Sequence, residues 1–171
     1  MIRSVDEHRS QAPSRKNCLI MTVSDTRDKS NDYSGQFIQD LLTTKGYNVV
    51  DYTIVKDDYD GIRQLLRQAA AHRTIDVVLL SGGTGIAPKD MTYEAVRSLL
   101  NKEMPGFGEL FRHLSFIEDI GSAAILSRAI AGTISSMAVF SMPGSQAAVK
   151  LAMEKIIIPE LPHILNEIHK R

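Results

Sequence analysis

The segment Ser81-Gly82-Gly83-Thr84-Gly85 is the sharpest chemical signal in the chain. Glycine has no Cβ, so glycines after an apolar strand let the backbone turn tightly and let a ligand approach the main chain. The N–H groups of such a loop form a concavity that favours anions. Ser81 and Thr84 flank the glycines with hydroxyls. For one glycine, a turn that touches no ligand would suffice; three in four positions favour an anion site. Neither familiar nucleotide grip fits. Around Gly83 and Lys89 the second glycine and the Ser or Thr of a Walker A loop are missing, and G-x-G-x-x-G would need glycine where Pro88 stands.

Asp57, Asp58 and Asp90 are the next stations. Carboxylates beside an anion-binding loop repel phosphate unless Mg²⁺ or a protonated ligand atom lies between them. Mg²⁺ sites use one or two carboxylates together with phosphate oxygens, the pattern that nucleotidyl transfer requires. The alternative is that Asp57 and Asp58 are solvated turn residues and Asp90 a charge at a helix N-terminus. Asp25, Thr26 and Arg27 are either a polar grip at a strand end or an ordinary loop. Glu109 and Arg112 share a helix face after Pro105-Gly106, where a surface ion pair is the plain reading. Arg128, in Leu126-Ser127-Arg128-Ala129, reads as a lone cation in an apolar helix, serving either a buried phosphate or a subunit contact. The five histidines do not pair with cysteine or carboxylates at metal-ligand spacing, so no zinc or iron site is expected.

These stations need elements to hold them. Residues 18–23 form a short apolar run that leads into the polar loop 24–28, and this predicts a buried strand. Phe37, Ile38, Leu41 and Leu42 have helical spacing, closed by Gly46. A β-branched and aromatic strand over 47–55 ends at Lys56-Asp57-Asp58. A helix then starts near Asp60 as N-cap, with Ile62, Leu65, Leu66 and Ala69 on its face. Residues 75–80 are apolar on consecutive positions, as in a strand covered on both faces. Thr92 is the expected cap of the next helix. A strand over 133–142 empties into Pro143-Gly144-Ser145, and the last helix follows Pro159.

Strand, loop and helix in alternation predict a three-layer α/β fold with a mostly parallel, Rossmann-like sheet. Right-handed crossovers bring every post-strand loop to one edge, where ligands of such sheets bind. Residues 24–28, Asp57, 82–90 and 143–145 should therefore meet. That convergence is the central expectation.

The 171 residues fit a polar arm over 1–15 and one domain over 16–171. Twenty basic and twenty acidic residues give a formal net charge of zero, which argues against a nucleic-acid or polybasic membrane surface. No apolar run approaches a membrane span. Cys18 is the one cysteine, so no intrachain disulfide forms; it reads as a buried hydrophobe in a reducing compartment. The first fifteen residues lack a signal-peptide core, so the expected location is cytoplasmic.

Five motifs then stand in order: Thr22-Val-Ser-Asp-Thr-Arg27; Ser81-Gly-Gly-Thr-Gly85 with Asp90-Met-Thr92; Pro105-Gly-Phe-Gly-Glu-Leu-Phe-Arg112; Leu126-Ser-Arg-Ala129; and Met142-Pro-Gly-Ser145. Over residues 17–165 the chain resembles the MoaB/MogA-like molybdopterin-binding family, whose domains also occur in gephyrin and plant molybdenum insertion proteins. The polar arm and residues 115–122 look most like the bacterial MoaB type. The resemblance implies molybdopterin as substrate or ligand and Mg²⁺-ATP as co-substrate, with adenylyl-molybdopterin and pyrophosphate as products. It carries catalytic and Mg²⁺-holding roles onto Asp57 and Asp90, and phosphate and pterin binding onto Gly82, Gly83, Thr84 and Gly85. Ser24, Asp25, Ser81, Glu109, Pro143, Gly144 and Ser145 match further pocket positions. It also implies a homotrimer or a hexamer of paired trimers. The alternative to the enzyme is a non-catalytic molybdopterin carrier or scaffold using the same pocket.

Overall fold

The computed structural model describes residues 16–170; the arm over 1–15 lies outside them. Strands β1 (Asn17–Val23) and β3 (Val77–Ser81) are buried along almost their whole length. Alternate residues feed two separate cores. Cys18, Ile20, Val77 and Leu79 pack with helices α1 (Tyr33–Thr44), α4 (Pro105–Glu118), α5 (Gln146–Ala152) and α6 (Ile158–His169). Leu19, Met21, Val78 and Leu80 pack with α2 (Tyr59–Ala71) and α3 (Thr92–Arg97) on the other face. Consecutive apolar positions are what a doubly covered strand needs. Burial pushes the Cys18 thiol up to about 12, so it is an inert core residue.

The remaining strands are β2 (Asn48–Val55), β4 (Lys102–Glu103), β5 (Ile130–Ile134) and β6 (Met137–Met142), and the sheet order is β2-β1-β3-β6-β5-β4. β2, β1, β3 and β6 run parallel. β1 pairs with β2 on one side and β3 on the other, so the winding reverses between β1 and β3 and opens a crevice at their carboxyl ends. The three-layer, mostly parallel architecture agrees with the pattern in the sequence.

Four local expectations are corrected. The strand over 133–142 is a hairpin: β5 runs antiparallel to β6 through Ser135-Ser136, with Ser135 at φ 54° and its N–H donated to Asn101 Oδ1 at 2.6 Å. The side-chain amide supports a left-handed turn that no glycine announces. Asp58, not Asp60, caps α2, accepting from Gly61 N at 2.6 Å. Thr92 is the first residue of α3 rather than its cap. Arg128 lies on no helix, because a 3₁₀ turn over Gly121–Leu126 ends before it. Among the described residues, no helix is long and apolar enough to cross a membrane.

Candidate functional site

The crevice between β1 and β3 is shaped by glycines at close quarters. Gly82 holds φ 104° and donates its N–H to the Met142 carbonyl at 3.0 Å, and a Cβ there would run into the carbonyl of Val23. Gly83, at φ 64°, passes directly over Thr92 and Asp57, where a Cβ would strike both side chains. A Cβ on Gly85 would strike the Asp90 carboxylate. These glycines are therefore required by the neighbouring acids and strands, in addition to any ligand.

Asp57 enters from the end of β2. Its Oδ1 accepts from Met91 N at 3.0 Å and lies 3.5 Å from Thr92 Oγ1, taking the place of the cap that Met91 cannot supply to α3. Its own N–H donates to Asp25 Oδ1 at 3.4 Å. Asp90 Oδ2 accepts from Ala87 N at 2.9 Å, which closes the loop between the glycines and α3. Asp25, Asp57 and Asp90 line one cavity of about 170 Å³, together with Ser24, Gly83 and Lys89. Burial pushes the Asp57 carboxyl up, and the charges of Asp90 and Asp25 push it further; the Met91 N–H and Thr92 hydroxyl oppose this.

Hard carboxylate oxygens around a small space suit Mg²⁺. Among the described residues, no three His, Cys, Asp or Glu groups converge closely enough to cage an ion by themselves. A cation here must share its coordination with oxygens brought by a ligand, as Mg²⁺ does with phosphates. Asp57 and Asp90 fit that partial role.

The other expected residues divide. Ser24 reaches the cavity, and its Oγ also accepts from Thr26 N at 3.2 Å and Arg27 N at 3.1 Å, shaping its own loop. Ser81 does not line it: its side chain is buried against Thr22, with the hydroxyl oxygens 3.5 Å apart. Thr84 is buried as well. Gly144 sits against Gly82, and its carbonyl accepts from Arg27 Nη1 at 3.1 Å and Ser34 Oγ at 2.9 Å. Pro143 precedes it, half-buried, while exposed Ser145 caps α5 by accepting from Ala148 N at 3.3 Å. Glu109 is exposed on α4, outside the cavity.

Two residues matter more than the sequence suggested. Arg128 is a clamp on the glycine loop: Nε donates to Thr84 O at 3.1 Å, and Nη2 to Gly85 O and, at 3.2 Å, to Asp90 O. Nη1 pairs with Glu94, and the guanidinium lies 5.1 Å from the Tyr93 ring centroid. Its one signal in the sequence was a lone cation among apolar residues. Arg128→Gln should therefore lower the urea midpoint by an amount equivalent to about 1–3 kcal/mol, with amide exchange rising over 84–90. Unchanged exchange there would remove the clamp. Asp32, fully buried, accepts from Tyr52 OH at 2.6 Å and Gly35 N at 3.1 Å, and faces Arg27 Nη1 at 3.5 Å. Only its place before a helix hinted at it.

Residues 19–163 match the family model described as "Probable molybdopterin binding domain". The chain belongs to this family. It is 60% identical to the molybdenum cofactor biosynthesis protein B of Halalkalibacterium halodurans over 167 residues, 98% of each chain. A crystal structure of a molybdenum cofactor biosynthesis protein B superposes with a TM-score of 0.90 at 54% identity, covering 94% of this chain and all of that one. The tungsten cofactor synthesizing protein MoaB of Pyrococcus furiosus follows, at TM-score 0.83 and 40% identity, over 93% of this chain and 100% of its own. The chain thus carries a molybdopterin-binding domain of molybdenum cofactor biosynthesis.

Proposed function

We propose that the chain adenylylates molybdopterin with Mg²⁺-ATP in the crevice between β1 and β3. The observation that carries this is the trio Asp25, Asp57 and Asp90 around one small cavity beneath the Gly83 backbone. A carrier needs donors for a phosphate; three acids lining one small space with Gly83 suit a site that also handles a cation. When bound with the nucleotide, Mg²⁺ would neutralise phosphate charge. In the reaction an oxygen of the pterin's terminal phosphate bonds to the α-phosphorus of ATP. The bond from that phosphorus to the α–β bridging oxygen breaks, and pyrophosphate leaves with the electron pair. The nucleophile is already an anion at neutral pH, so the protein need not supply a base; its contribution is positioning and charge screening. Asp57 and Asp90 orient the cation-bearing phosphates, the loop over Gly82 to Gly85 holds the pterin phosphate, and Lys89 adds positive charge at the rim. The outlying Glu109 and Pro143 to Ser145 then contact the bulk of the pterin.

We place this activity in the cytoplasm, in a single domain over 16–171 that assembles as a homotrimer or hexamer. Exposed Leu110, Phe116 and Ile117 of α4, Ile120 just beyond it, and Ile125 and Leu126 of the following turn give an apolar face suited to self-association. Incubation of the purified protein with molybdopterin and Mg²⁺-ATP should yield pyrophosphate and adenylylated pterin in equal amounts. Tight pterin binding without product would establish the carrier instead.

A further inference from the structure

We infer that the groove along β2 is the seat of the nucleotide and that Arg27, braced by Asp32 and Tyr52, is its phosphate contact. The inference rests on the adenylylation reading and adds what that reading lacks, a place for the second substrate. The cavity at Asp57 and Asp90, about 170 Å³, has room for a phosphoryl group and its cation but not for a ring system as well. A groove of about 580 Å³ adjoins it, and the two spaces share Ser24 and Asp25. Arg27, Lys29, Tyr52 and Lys56 line the groove. A ligand lying in it would bring one end beside Asp25 and the inner cavity. Among the described residues β2 pairs with β1 alone, which leaves its outer backbone groups available to a base or ribose.

Arg27 is held as a ligand contact would be. Its Nη1 is tied to the Gly144 carbonyl at 3.1 Å and faces Asp32 at 3.5 Å. Its Nε and Nη2 make no hydrogen bond among the described residues, and a third of the side chain, 33%, remains exposed. Behind it Asp32 has 0% exposure and is fixed by Tyr52 OH at 2.6 Å and Gly35 N at 3.1 Å. A buried carboxylate is costly to keep unless it is paired and hydrogen-bonded. Here its pairing immobilises an arginine whose free edge faces the groove. A pre-fixed guanidinium loses little freedom on binding and matches phosphate oxygens two at a time. Three acids, Asp25, Asp28 and Asp51, also line the groove; each accepts a backbone N–H, from Asp57 at 3.4 Å, Ser30 at 2.7 Å and Tyr52 at 2.8 Å, and the three cations Arg27, Lys29 and Lys56 match their charge. Lys29 stands 5.4 Å from the Tyr52 ring centroid, adding a second cation to the same wall.

The test is calorimetric titration of wild type, Arg27→Gln, Arg27→Lys and Tyr52→Phe with the Mg²⁺ complex of α,β-methylene-ATP, beside fluorescence titration with molybdopterin. Arg27→Gln should weaken the nucleotide about tenfold or more, and Arg27→Lys less, since it keeps the charge and loses the fork. Tyr52→Phe should weaken it about two- to threefold through the brace. Molybdopterin affinity should fall clearly less than nucleotide affinity in the two Arg27 variants, because Arg27 reaches the pterin side only through the Gly144 carbonyl. Equal weakening of both ligands would show Arg27 to be only a strut between two loops, and undiminished nucleotide binding in Arg27→Gln would also overturn the seat. Should Arg27→Gln not fold, Arg27→Lys carries the comparison. A wild type that binds no nucleotide defeats this inference together with the adenylylation reading; one that binds it through Arg27 but forms no product defeats only the latter.

Discussion

Asp57→Asn is expected to lower turnover by about 10²–10³, to leave molybdopterin affinity measured without Mg²⁺ almost unchanged, and to raise the thermal midpoint of the ligand-free protein at neutral pH. Asparagine keeps an Oδ1 that can accept from Met91 N, now at 3.0 Å, and from Thr92 Oγ1, so the start of α3 stays capped. What disappears is a negative charge that burial disfavours and that Asp90 and Asp25 repel. The sign follows from linkage. The folded carboxyl titrates above its unfolded value, so its contribution to stability is fully present below the unfolded pKa and is lost as pH rises through the folded one. At neutral pH the ionised group burdens the fold. The advantage of the variant should therefore be greatest there and fade on acidification into the carboxylate range. Thermal melts across pH 4–8, run beside a product assay, check both halves. A lower midpoint for the variant at pH 7 would mean that Asp57 is foremost a helix cap. Unaltered turnover would remove it from the chemistry.

The largest loss of stability is expected from Gly82→Ala, about 3 kcal/mol or more in urea unfolding. Alanine at φ 104° is strained by about 1–3 kcal/mol. Its Cβ would also meet the Val23 carbonyl, a backbone atom held in β1 that cannot rotate away. Moving Gly82 instead would break its hydrogen bond to Met142 O, 3.0 Å long, and part β3 from β6. Gly46→Ala is the internal control. Gly46 holds φ 85° with nothing within 4 Å of a Cβ, so it should lose only about 1 kcal/mol. The difference between the two variants isolates the close approach of the loop to β1. Equal losses would mean that backbone strain alone explains both, and that the tight crevice contributes nothing.

The sequence was most legible where one element's environment is set by its own residues. The doubly covered β1 and β3 read directly, because burial on both faces forces consecutive apolar residues, and Gly46 marked the end of α1. The hairpin over 130–142 did not. Its turn at Ser135 relies on Asn101, distant in the chain, rather than on a local glycine or asparagine. The convergence of Asp25, Asp57, Gly83 and Asp90 followed from topology alone, because parallel crossovers leave little choice of edge. The partners of those residues did not follow. Asp57 bonds to Met91 across 34 positions, and no local pattern encodes such a bond. Ser81 and Thr84 were hydroxyls beside a glycine loop, yet strand pleat turned one toward Thr22 and packing enclosed the other. Arg128 and Asp32 were the least visible, since a lone charge in a chain does not reveal which carbonyls or hydroxyls will surround it.

The central claim is that separate loops form one pocket in which backbone donors hold the pterin phosphate and two aspartates manage its counter-ion. Fluorescence titration of molybdopterin, with and without Mg²⁺, tests it in wild type and in the Asp57→Asn/Asp90→Asn double variant. The wild type should bind saturably and more tightly with Mg²⁺, while the double variant should bind with no Mg²⁺ dependence. An absence of saturable binding, or the same Mg²⁺ dependence in both proteins, would contradict it.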